Sequence, residues 1–472
     1  MYETLQANQN NMNRIIKTRK GLNIPLAGAA ELRNVGFVAG ETYALLPDDF
    51  TGIVPKVVVK VGDKVKAGTP LFVDKASPTL RFASPVAGEV VAIERGNRRK
   101  VEKICVKAAD NQESADFGSH DLKSMTGEEV KTLLTDAGLF GYISRLPFAV
   151  VAHPDEQPKG IFVSALRDKP LAADFDFELK GNESAFQTGL TALSKIAKTW
   201  LGIGPKQTAD SLVNAKDVEV TVFDGPCPAG NVGVQVNKLD PVNKGEVVWI
   251  VDPTAVIFFG RLFETGKVDL TRRVAIAGSE VNNPAYCDAL VGTALKDLLK
   301  VVDGKIELGK TESEDASTPT GLRIINGNPL TGKRDTLNGY LGAHTSTISV
   351  IPEGDHEDEA LGWIMPRTSQ FSSSKSYFSW LMPKRKFKAD ARIKGGQRHM
   401  IMSGEYDKVL PMDIYGEYLI KAIIAGDIDR MEQLGIYEVS PEDFALAEFV
   451  DSSKLELQKI VREGLDKMRN EL

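Results

Sequence analysis

Alternating hydrophobic and polar positions are clearest in residues 57–93, which read VVVKVGDKVKAGTPLFVDKASPTLRFASPVAGEVVAI. Strict alternation predicts short strands with one buried face. Gly62 and Gly68 predict tight turns between the strands, because glycine takes a positive φ without steric cost. The segment is therefore predicted to form a small β-sandwich. The alternating positions that predict its buried face are Val57, Val59, Val61 and Val65.

The next part of the chain alternates predicted strands and helices. A helix is expected from Ser124 to about Ala137, with Gly138 as its stop. Apolar residues at helical spacing predict a second helix over residues 182–200, with Trp200 on its buried face. Buried strands are expected at residues 160–166 and 217–223. This alternation favours a parallel, Rossmann-like α/β sheet.

Two further parts follow. Strands at residues 272–284, 321–333 and 345–354 surround a short amphipathic helix at residues 289–301, which suggests a small β-grasp sheet. The remainder is predicted to be mainly helical, ending in an apolar stripe from Leu457 to Leu472.

The fold class is thus multidomain, mixing α+β and α/β architecture. The expected divisions are a disordered lead-in (1–13), a barrel-sandwich hybrid (14–109), a Rossmann-like α/β domain (124–271), a β-grasp domain (272–352) and a mainly helical C-terminal domain (353–472).

Composition excludes several classes of protein. The net charge of −6 argues against a general nucleic-acid binder. No run of about 18 apolar residues occurs, so no membrane-spanning helix is expected. Three separated cysteines and no CxxC pair predict neither a disulfide framework nor a cysteine-ligated cluster. The five histidines form no metal-ligand pair, and no metal or catalytic residue is assigned.

Two glycine motifs are weak. GNPLTGKR, at residues 327–334, places Arg334 where a phosphate-binding loop needs a Ser or Thr hydroxyl, so it is interpreted as a β-turn. GIGPKQ, at residues 202–207, lacks the third glycine of a dinucleotide fingerprint.

Other features leave more than one interpretation open. The proline-rich loop, residues 224–233, is either a rigid connection or a contact for a ligand or partner. Residues 367–388 mix basic and aromatic side chains, which suits a membrane interface, a partner contact or a crossing between domains. Lys75, after Asp74, lies where a lipoyl or biotinyl hammerhead carries its modified lysine, so a carrier protein is a further hypothesis.

Taken together, the segments resemble the A subunit of the Na⁺-translocating NADH:quinone reductase. Matching stretches are KGLNIPLAG, LFVDKASP, FASPVAGEVVAIERGNRRK, FDGPCPAGNVG, GRLFETG, RVAIAGSEVNNP, RIINGNPLTG and EYDKVLPMDI. The C subunit of Rnf complexes is related but adds two ferredoxin-type cysteine clusters. Cys287 is the last cysteine here, which favours the sodium-pump family.

The resemblance implies a six-subunit enzyme that couples NADH oxidation and quinone reduction to sodium export. The chain would be a peripheral subunit on the cytoplasmic face of the bacterial inner membrane, not catalytic alone, with no redox cofactor of its own. FAD, FMN, riboflavin and a 2Fe–2S cluster would belong to the other five subunits, and the large membrane-embedded B subunit would be the chief partner. Its β-grasp domain would be of the soluble-ligand-binding type.

The chain also departs from that family. Where the family has His-Pro-Ala-Gly followed by Thr-His-x-His, this sequence has Cys227-Pro-Ala-Gly230 and then Val234-Gln-Val-Asn237. A proton or quinone role for those histidines therefore does not transfer. The family lysine at the position of Lys75 is not expected to be lipoylated.

Quinone contact is one interpretation of a further set of residues, and packing between domains is the alternative. Aromatic side chains would hold the ring, and Arg145 would polarise a carbonyl. The candidates near quinone or a partner are Phe140, Tyr142, Arg145, Asp224, Pro226, Cys227 and Gly230. A free small-molecule-binding protein, using the β-grasp domain, is a third hypothesis.

Overall fold

The computed structural model describes residues 13–303, 321–354, 367–368 and 370–471. The strands in this part are β1 (Arg14–Lys17), β2 (Asn34–Phe37), β3 (Thr42–Leu45), β4 (Pro55–Val57), β5 (Lys64–Val65), β6 (Pro70–Asp74), β7 (Arg81–Ala83), β8 (Gly88–Arg95), β9 (Val101–Ala108), β10 (Ile143–Leu146), β11 (Val150–Val151), β12 (Ile161–Ser164), β13 (Thr199–Ile203), β14 (Glu219–Asp224), β15 (Val248–Val251), β16 (Thr271–Ala277), β17 (Ala285–Leu290), β18 (Leu322–Asn326), β19 (Lys333–Asp335) and β20 (Thr347–Pro352).

The α-helices of the described residues are α1 (Gly127–Asp136), α2 (Phe175–Leu179), α3 (Glu183–Ile196), α4 (Asp210–Val213), α5 (Val232–Leu239), α6 (Pro253–Thr265), α7 (Leu295–Asp303), α8 (Tyr406–Val409), α9 (Gly416–Ala425), α10 (Ile428–Gln433), α11 (Ala445–Val450) and α12 (Leu457–Glu471). Short 3₁₀ turns include Phe140–Tyr142, Phe378–Leu381 and Pro441–Phe444.

A seven-stranded sheet in the order β1-β14-β13-β12-β15-β10-β11 forms the α/β part. The first five strands are parallel, and β10 joins β15 antiparallel. From β12 the chain builds outward through β13 and β14, then returns to place β15 on the other side of β12. This reversal is the topological switch point at which open α/β sheets usually bind ligands. The Rossmann-like prediction is confirmed.

Helices α3 and α6 pack very closely beside this sheet. A Cβ added at Gly189 would lie 2.0 Å from the Val256 carbonyl oxygen, and one added at Gly260 would lie 1.7 Å from that of Ala185. Both glycines are therefore required by helix contact, not by helix propensity, which disfavours glycine.

The barrel-sandwich consists of two small sheets, β3-β9-β8-β5 and β4-β6-β7. Its core is shared with the α/β part, since Phe50, Phe72 and Phe82 form one aromatic cluster that reaches Tyr142. The predicted valine alternation is correct for Val65, which is buried, but wrong for Val61, which is 61% exposed. Val61 precedes the Gly62 turn, where the strand has already ended.

A six-stranded sheet in the order β19-β18-β20-β16-β17-β2 with α7 forms the β-grasp part. Residues 327–332 of GNPLTGKR form the turn between β18 and β19, as predicted, and Lys333 and Arg334 begin β19. Asn328 Oδ1 accepts hydrogen bonds from the backbone N–H groups of Leu330 and Thr331, at 2.9 and 3.1 Å. An Asn side chain that bonds the backbone two or three residues on is a common turn device.

The first residues of the chain do not stay within the barrel-sandwich. Strand β1 pairs with β14 in the α/β sheet, and β2 pairs with β17 in the six-stranded sheet. A region expected to belong to one module thus ties three together. The predicted lead-in of residues 1–13 lies, apart from Asn13, outside the described residues.

Two predicted helices have different ends in the structure. The helix expected to reach Trp200 ends at Ile196, because Trp200 lies in β13 and stacks on Phe162 of β12 at 4.5 Å. The helix expected from Ala289 begins at Leu295, because Ala289 lies in β17. In both cases a buried strand adjoins the helix, and its apolar residues extended the helical pattern.

The C-terminal region is helical from Tyr406 onward, whereas the described residues from 370 to 405 are irregular apart from the 3₁₀ turn Phe378–Leu381, so the mainly helical prediction is wrong for that stretch. Helix α12 buries Leu457, Val461, Leu465 and Met468, as the predicted stripe requires, whereas Leu472 lies outside the described residues. Ser440 and Asp443 form a capping box at the start of a 3₁₀ turn, with Pro441 at its first position. In the part of the chain that the structure describes, no helix combines the length and apolar character needed to cross a bilayer.

Candidate functional site

A cavity of about 860 Å³ opens at the switch point of the seven-stranded sheet. Residues after the carboxyl ends of β12 and β15 form its floor, including Arg167 and Asp252. The other walls come from all remaining parts: residues 46–51, the β18–β19 turn, residues 344–347 and residues 440–442. The cavity is therefore the place where the four parts of the molecule meet.

A buried charged network lies at the floor of the cavity. Arg167 Nη1 donates to Glu178 Oε2 at 2.5 Å, and Arg167 Nη2 donates to Thr254 Oγ1 at 2.8 Å. Thr254 Oγ1 in turn donates to Glu178 Oε1 at 2.5 Å. The side chain of Glu178 is only 1% exposed, so its charge is balanced almost entirely by protein groups.

Asp252 belongs to the same network and also caps α6, where its side chain accepts from Thr254 N at 2.9 Å. Burial alone would raise the pKa of Asp252, but Arg167 and Arg272 outweigh it and hold that pKa below its usual value. Arg272 itself is 3% exposed. Its Nη1 donates to the Ala343 carbonyl at 2.8 Å, while Nε and Nη2 have no partner among the described residues.

An aromatic wall joins the barrel-sandwich to the β-grasp part. The His344 ring lies 5.4 Å from the Tyr142 ring and 5.6 Å from that of Phe50. Burial lowers the pKa of His344, although Asp49 opposes the shift, so its imidazole is neutral at neutral pH. The Tyr142 hydroxyl has no hydrogen-bond partner among the described residues, and burial raises its pKa.

The opposite wall is formed by the C-terminal region. Lys169 forms an ion pair with Glu442, and Asn231 Nδ2 donates to Asp443 Oδ1 at 3.2 Å. Asp443 lies over the beginning of α5, because a Cβ added at Gly233 would lie 2.3 Å from its carboxylate. Burial at this position raises the pKa of the Asp443 carboxyl to about 6.

The structure brings only two of the seven predicted site residues to the cavity, namely Tyr142 and Gly230. Phe140 is fully buried, with its ring 5.3 Å from Trp249. Arg145 pairs with Glu156 at 2.8 Å. These two positions favour the packing alternative.

The proline-rich loop is tied down along its length. Asp224 O accepts from Thr18 N at 2.9 Å, and Cys227 O accepts from Leu22 N at 2.8 Å. Gly230 N donates to Asp168 Oδ2 at 2.8 Å. Asp224 and Pro226 are partly exposed, whereas Cys227 and Gly230 are buried. Most of the loop thus serves as a rigid connection, and Gly230 is its contact with the cavity.

Sequence reasoning missed the charged floor of the cavity. A signal was available, since Arg167 and the pair Asp252-Pro253 follow two buried strands. Polar residues after parallel strands collect at one sheet edge. Glu178 and Arg272 gave no such signal, because they come from α2 and β16. Among the described residues, no group of three or more His, Cys, Asp or Glu side chains is arranged to hold a metal ion.

Comparison with known proteins gives two matching family models. Residues 16–109 match the NqrA N-terminal barrel-sandwich hybrid domain, and residues 125–268 match the NqrA second alpha/beta domain. A relative in Vibrio parahaemolyticus, named as the A subunit of the Na(+)-translocating NADH-quinone reductase, is 34% identical over 462 residues, which is 97% of this chain and 100% of the relative.

The chain belongs to the A-subunit family of the Na⁺-translocating NADH-quinone reductases. A relative of the same name in Alcanivorax borkumensis is 34% identical, over 96% of this chain and 98% of the relative. One in Neisseria meningitidis is 33% identical, over 97% of this chain and 100% of the relative. Family membership was predicted from the sequence and is confirmed.

Among solved structures, a crystal structure of NAD⁺-reducing [NiFe]-hydrogenase in the air-oxidized state aligns with 51% of this chain and 52% of the hydrogenase chain. The sequence identity is 16% and the TM-score is 0.33. That likeness is too low to support an argument about fold or activity.

Proposed function

We propose that this chain is the A subunit of a Na⁺-translocating NADH-quinone reductase, not catalytic by itself, placed peripherally on the cytoplasmic face of the inner membrane. The observation that carries the proposal is similarity along the whole chain, at 34% identity over 462 residues to a relative of that name. Such coverage includes all four parts of the fold, so the proposal does not depend on one shared domain.

In this proposal the chain is a scaffold for the membrane subunits, chiefly the large B subunit. FAD, FMN, riboflavin and the 2Fe–2S cluster belong to partner subunits. The shared core supports a rigid scaffold, because β1 and β2 join the α/β and β-grasp sheets, and the C-terminal helices share a buried hydrophobic cluster with Ile24, Phe148 and Val234.

The test is affinity purification of the tagged chain from solubilised membranes of its native host. We expect the five other subunits to be recovered with it, together with NADH-quinone reductase activity. An untagged strain processed in the same way is the control. Recovery of the chain only as a free species in the soluble fraction would contradict the proposal.

We further propose that quinone, where it reaches this chain, lies against the cavity at Tyr142 and near Gly230. The unpartnered Tyr142 hydroxyl supports this, since it is a buried donor free to bond a quinone carbonyl. In the complex, a photoreactive quinone analogue should label a peptide containing Tyr142. Labelling confined to a membrane subunit would exclude this chain from the quinone site.

One observation favours a second function, that of a carrier protein. Lys75 is exposed in the connection between β6 and β7, where a covalent arm would be free to move. Intact-mass measurement of native protein decides the matter, because a lipoyl or biotinyl group adds a defined mass.

For the third hypothesis, a free binding protein, a ligand should copurify from the soluble fraction without membrane subunits.

A further inference from the structure

A strongly basic segment with exposed aromatic residues lies outside the cavity. Residues 375–388 read KSYFSWLMPKRKFK and contain five basic residues and no acidic residue, whereas the whole chain has a net charge of −6. We call these residues the basic–aromatic segment. Its charge is opposite in sign to that of the molecule that carries it, so its composition is not a general surface property.

The fold holds this segment in place while presenting its large apolar side chains to solvent. Phe387 is buried, and its backbone N–H and C=O bond to Pro25 O and Ala27 N at 2.8 and 2.9 Å. In the 3₁₀ turn before it, Phe378, Trp380 and Leu381 are 53%, 50% and 62% exposed. Neighbouring exposed apolar side chains of this size usually mark an interaction surface.

The basic side chains around the turn are available for an external anion. Lys388 pairs with Glu280 at 3.5 Å, but Lys375, Lys384, Arg385 and Lys386 have no ion pair with a carboxylate among the described residues. All four are exposed. Exposed aromatic residues flanked by unpaired lysine and arginine suit the boundary between lipid headgroups and acyl chains, with the rings inserted and the cations among anionic headgroups.

We propose that the basic–aromatic segment is a lipid-contact site that binds an anionic bilayer surface. Trp380, Phe378 and Leu381 enter the interface, while Lys384, Arg385 and Lys386 bind acidic headgroups. The site goes beyond the proposed function, because a subunit held only by partner subunits needs no lipid contact of its own. Anionic lipid is favoured over an acidic protein because the exposed apolar residues form a single turn and not a groove shaped for a partner chain.

The test uses the purified full chain and two kinds of vesicle, one of phosphatidylcholine alone and one containing phosphatidylglycerol. We expect sedimentation with the anionic vesicles only, weakening as salt is raised. Adding anionic vesicles should also move Trp emission to shorter wavelength, and W380F should lose that shift. The combined variant K384Q/R385Q/K386Q should bind roughly 100-fold more weakly, since each cation near an anionic surface contributes about fivefold.

The matched control is K56Q/K60Q/K64Q, which removes the same charge from exposed lysines of the barrel-sandwich. It should bind as the wild type does. Equal weakening in both variants would mean general electrostatic attraction and would overturn the proposal. A third outcome is that the wild type binds no vesicles, while K384Q/R385Q/K386Q no longer copurifies with the other subunits. That result would assign the segment to a protein partner instead. Neither result changes the outcome of affinity purification of the wild-type chain, which tests separately whether the chain is a subunit of the complex.

Discussion

The charged residues at the floor of the cavity are buried and depend on one another for charge balance. Glu178 balances Arg167 directly and also lies close enough to Arg272 to stabilise its charge. A buried ion pair adds little compared with an apolar pair, but removing one partner leaves the other charge without compensation. The network is thus more sensitive to mutation than its surroundings.

At Glu178, the isosteric change to Gln should lower the free energy of unfolding by about 3 kcal/mol, because Arg167 and Arg272 lose their shared counter-charge. The denaturant midpoint followed by circular dichroism measures this. Glu89→Gln, at an exposed position of β8, is the control and should leave the midpoint unchanged. Equal midpoints for the two variants would contradict the role given to the network.

Cys227 replaces a histidine expected from the family pattern, and its surroundings make it unreactive. It is 1% exposed, and burial, followed by the nearby Asp168 carboxylate, raises the pKa of its thiol. Cys105 and Cys287 are also buried. A maleimide should label all three cysteines of the denatured chain. Over the same time we expect no labelling of the native protein, since only thiolates react. Peptide mass spectrometry locates the label, and rapid native labelling of Cys227 would show that the loop opens.

At the scale of elements, the sequence predicts local periodicity well and pairing between distant segments poorly. Helix α1 stops where expected, before Gly138, but it begins at Gly127, after a capping box at Thr126 and Glu129, and not at Ser124. Trp200 was misplaced because a buried strand follows α3 closely. The pairing of β1 with β14 joins residues about 200 positions apart, and nothing in four residues of local pattern specifies such a partner.

The close contact between α3 and α6 gives a prediction for Gly260. Gly260→Ala should destabilise the α/β part by roughly 1–3 kcal/mol or more, because the new methyl group would overlap the Ala185 carbonyl and force the helices apart. Gly396→Ala is the control, since among the described residues no atom lies within 4 Å of an added Cβ there. Thermal unfolding compares the two, and a stable G260A protein would mean that the helices do not approach this closely.

Across the whole molecule, the cavity depends on four parts that are separate in sequence. The order of these parts was predictable, whereas their convergence was not, because the contacts that create it join residues far apart in sequence. Lys169 meets Glu442, Lys244 meets Glu432 at 2.7 Å, and Arg462 Nη2 donates to the Phe148 carbonyl at 2.5 Å. The sequence therefore predicted Tyr142 and Gly230 as site residues, but not the C-terminal wall that completes the cavity.

Attachment of this wall should depend on pH through Asp443, whose pKa is raised from 3.8 to about 6. Burial is the main cause, and the Glu442 charge adds to it. Hydrogen bonds from Ser440 and Asn231 act in the opposite direction and lower this pKa. The folded chain therefore binds this proton more tightly than the unfolded chain. The group's contribution is most favourable below the unfolded pKa and is lost as pH rises through about 6, a change of up to about 3 kcal/mol.

In Asp443→Asn this titration is absent, so the stability of wild type relative to the variant should fall as pH rises from about 4 to about 7. Limited proteolysis of the C-terminal region and denaturant midpoints across this range measure the difference. Asp429→Asn, at an exposed position of α10, is the control and should keep the wild-type pH dependence. Parallel pH profiles for wild type and Asp443→Asn would mean that Asp443 does not hold its proton in the folded chain, and that the hydrophobic cluster shared with Phe148 and Val234 holds the C-terminal wall without it.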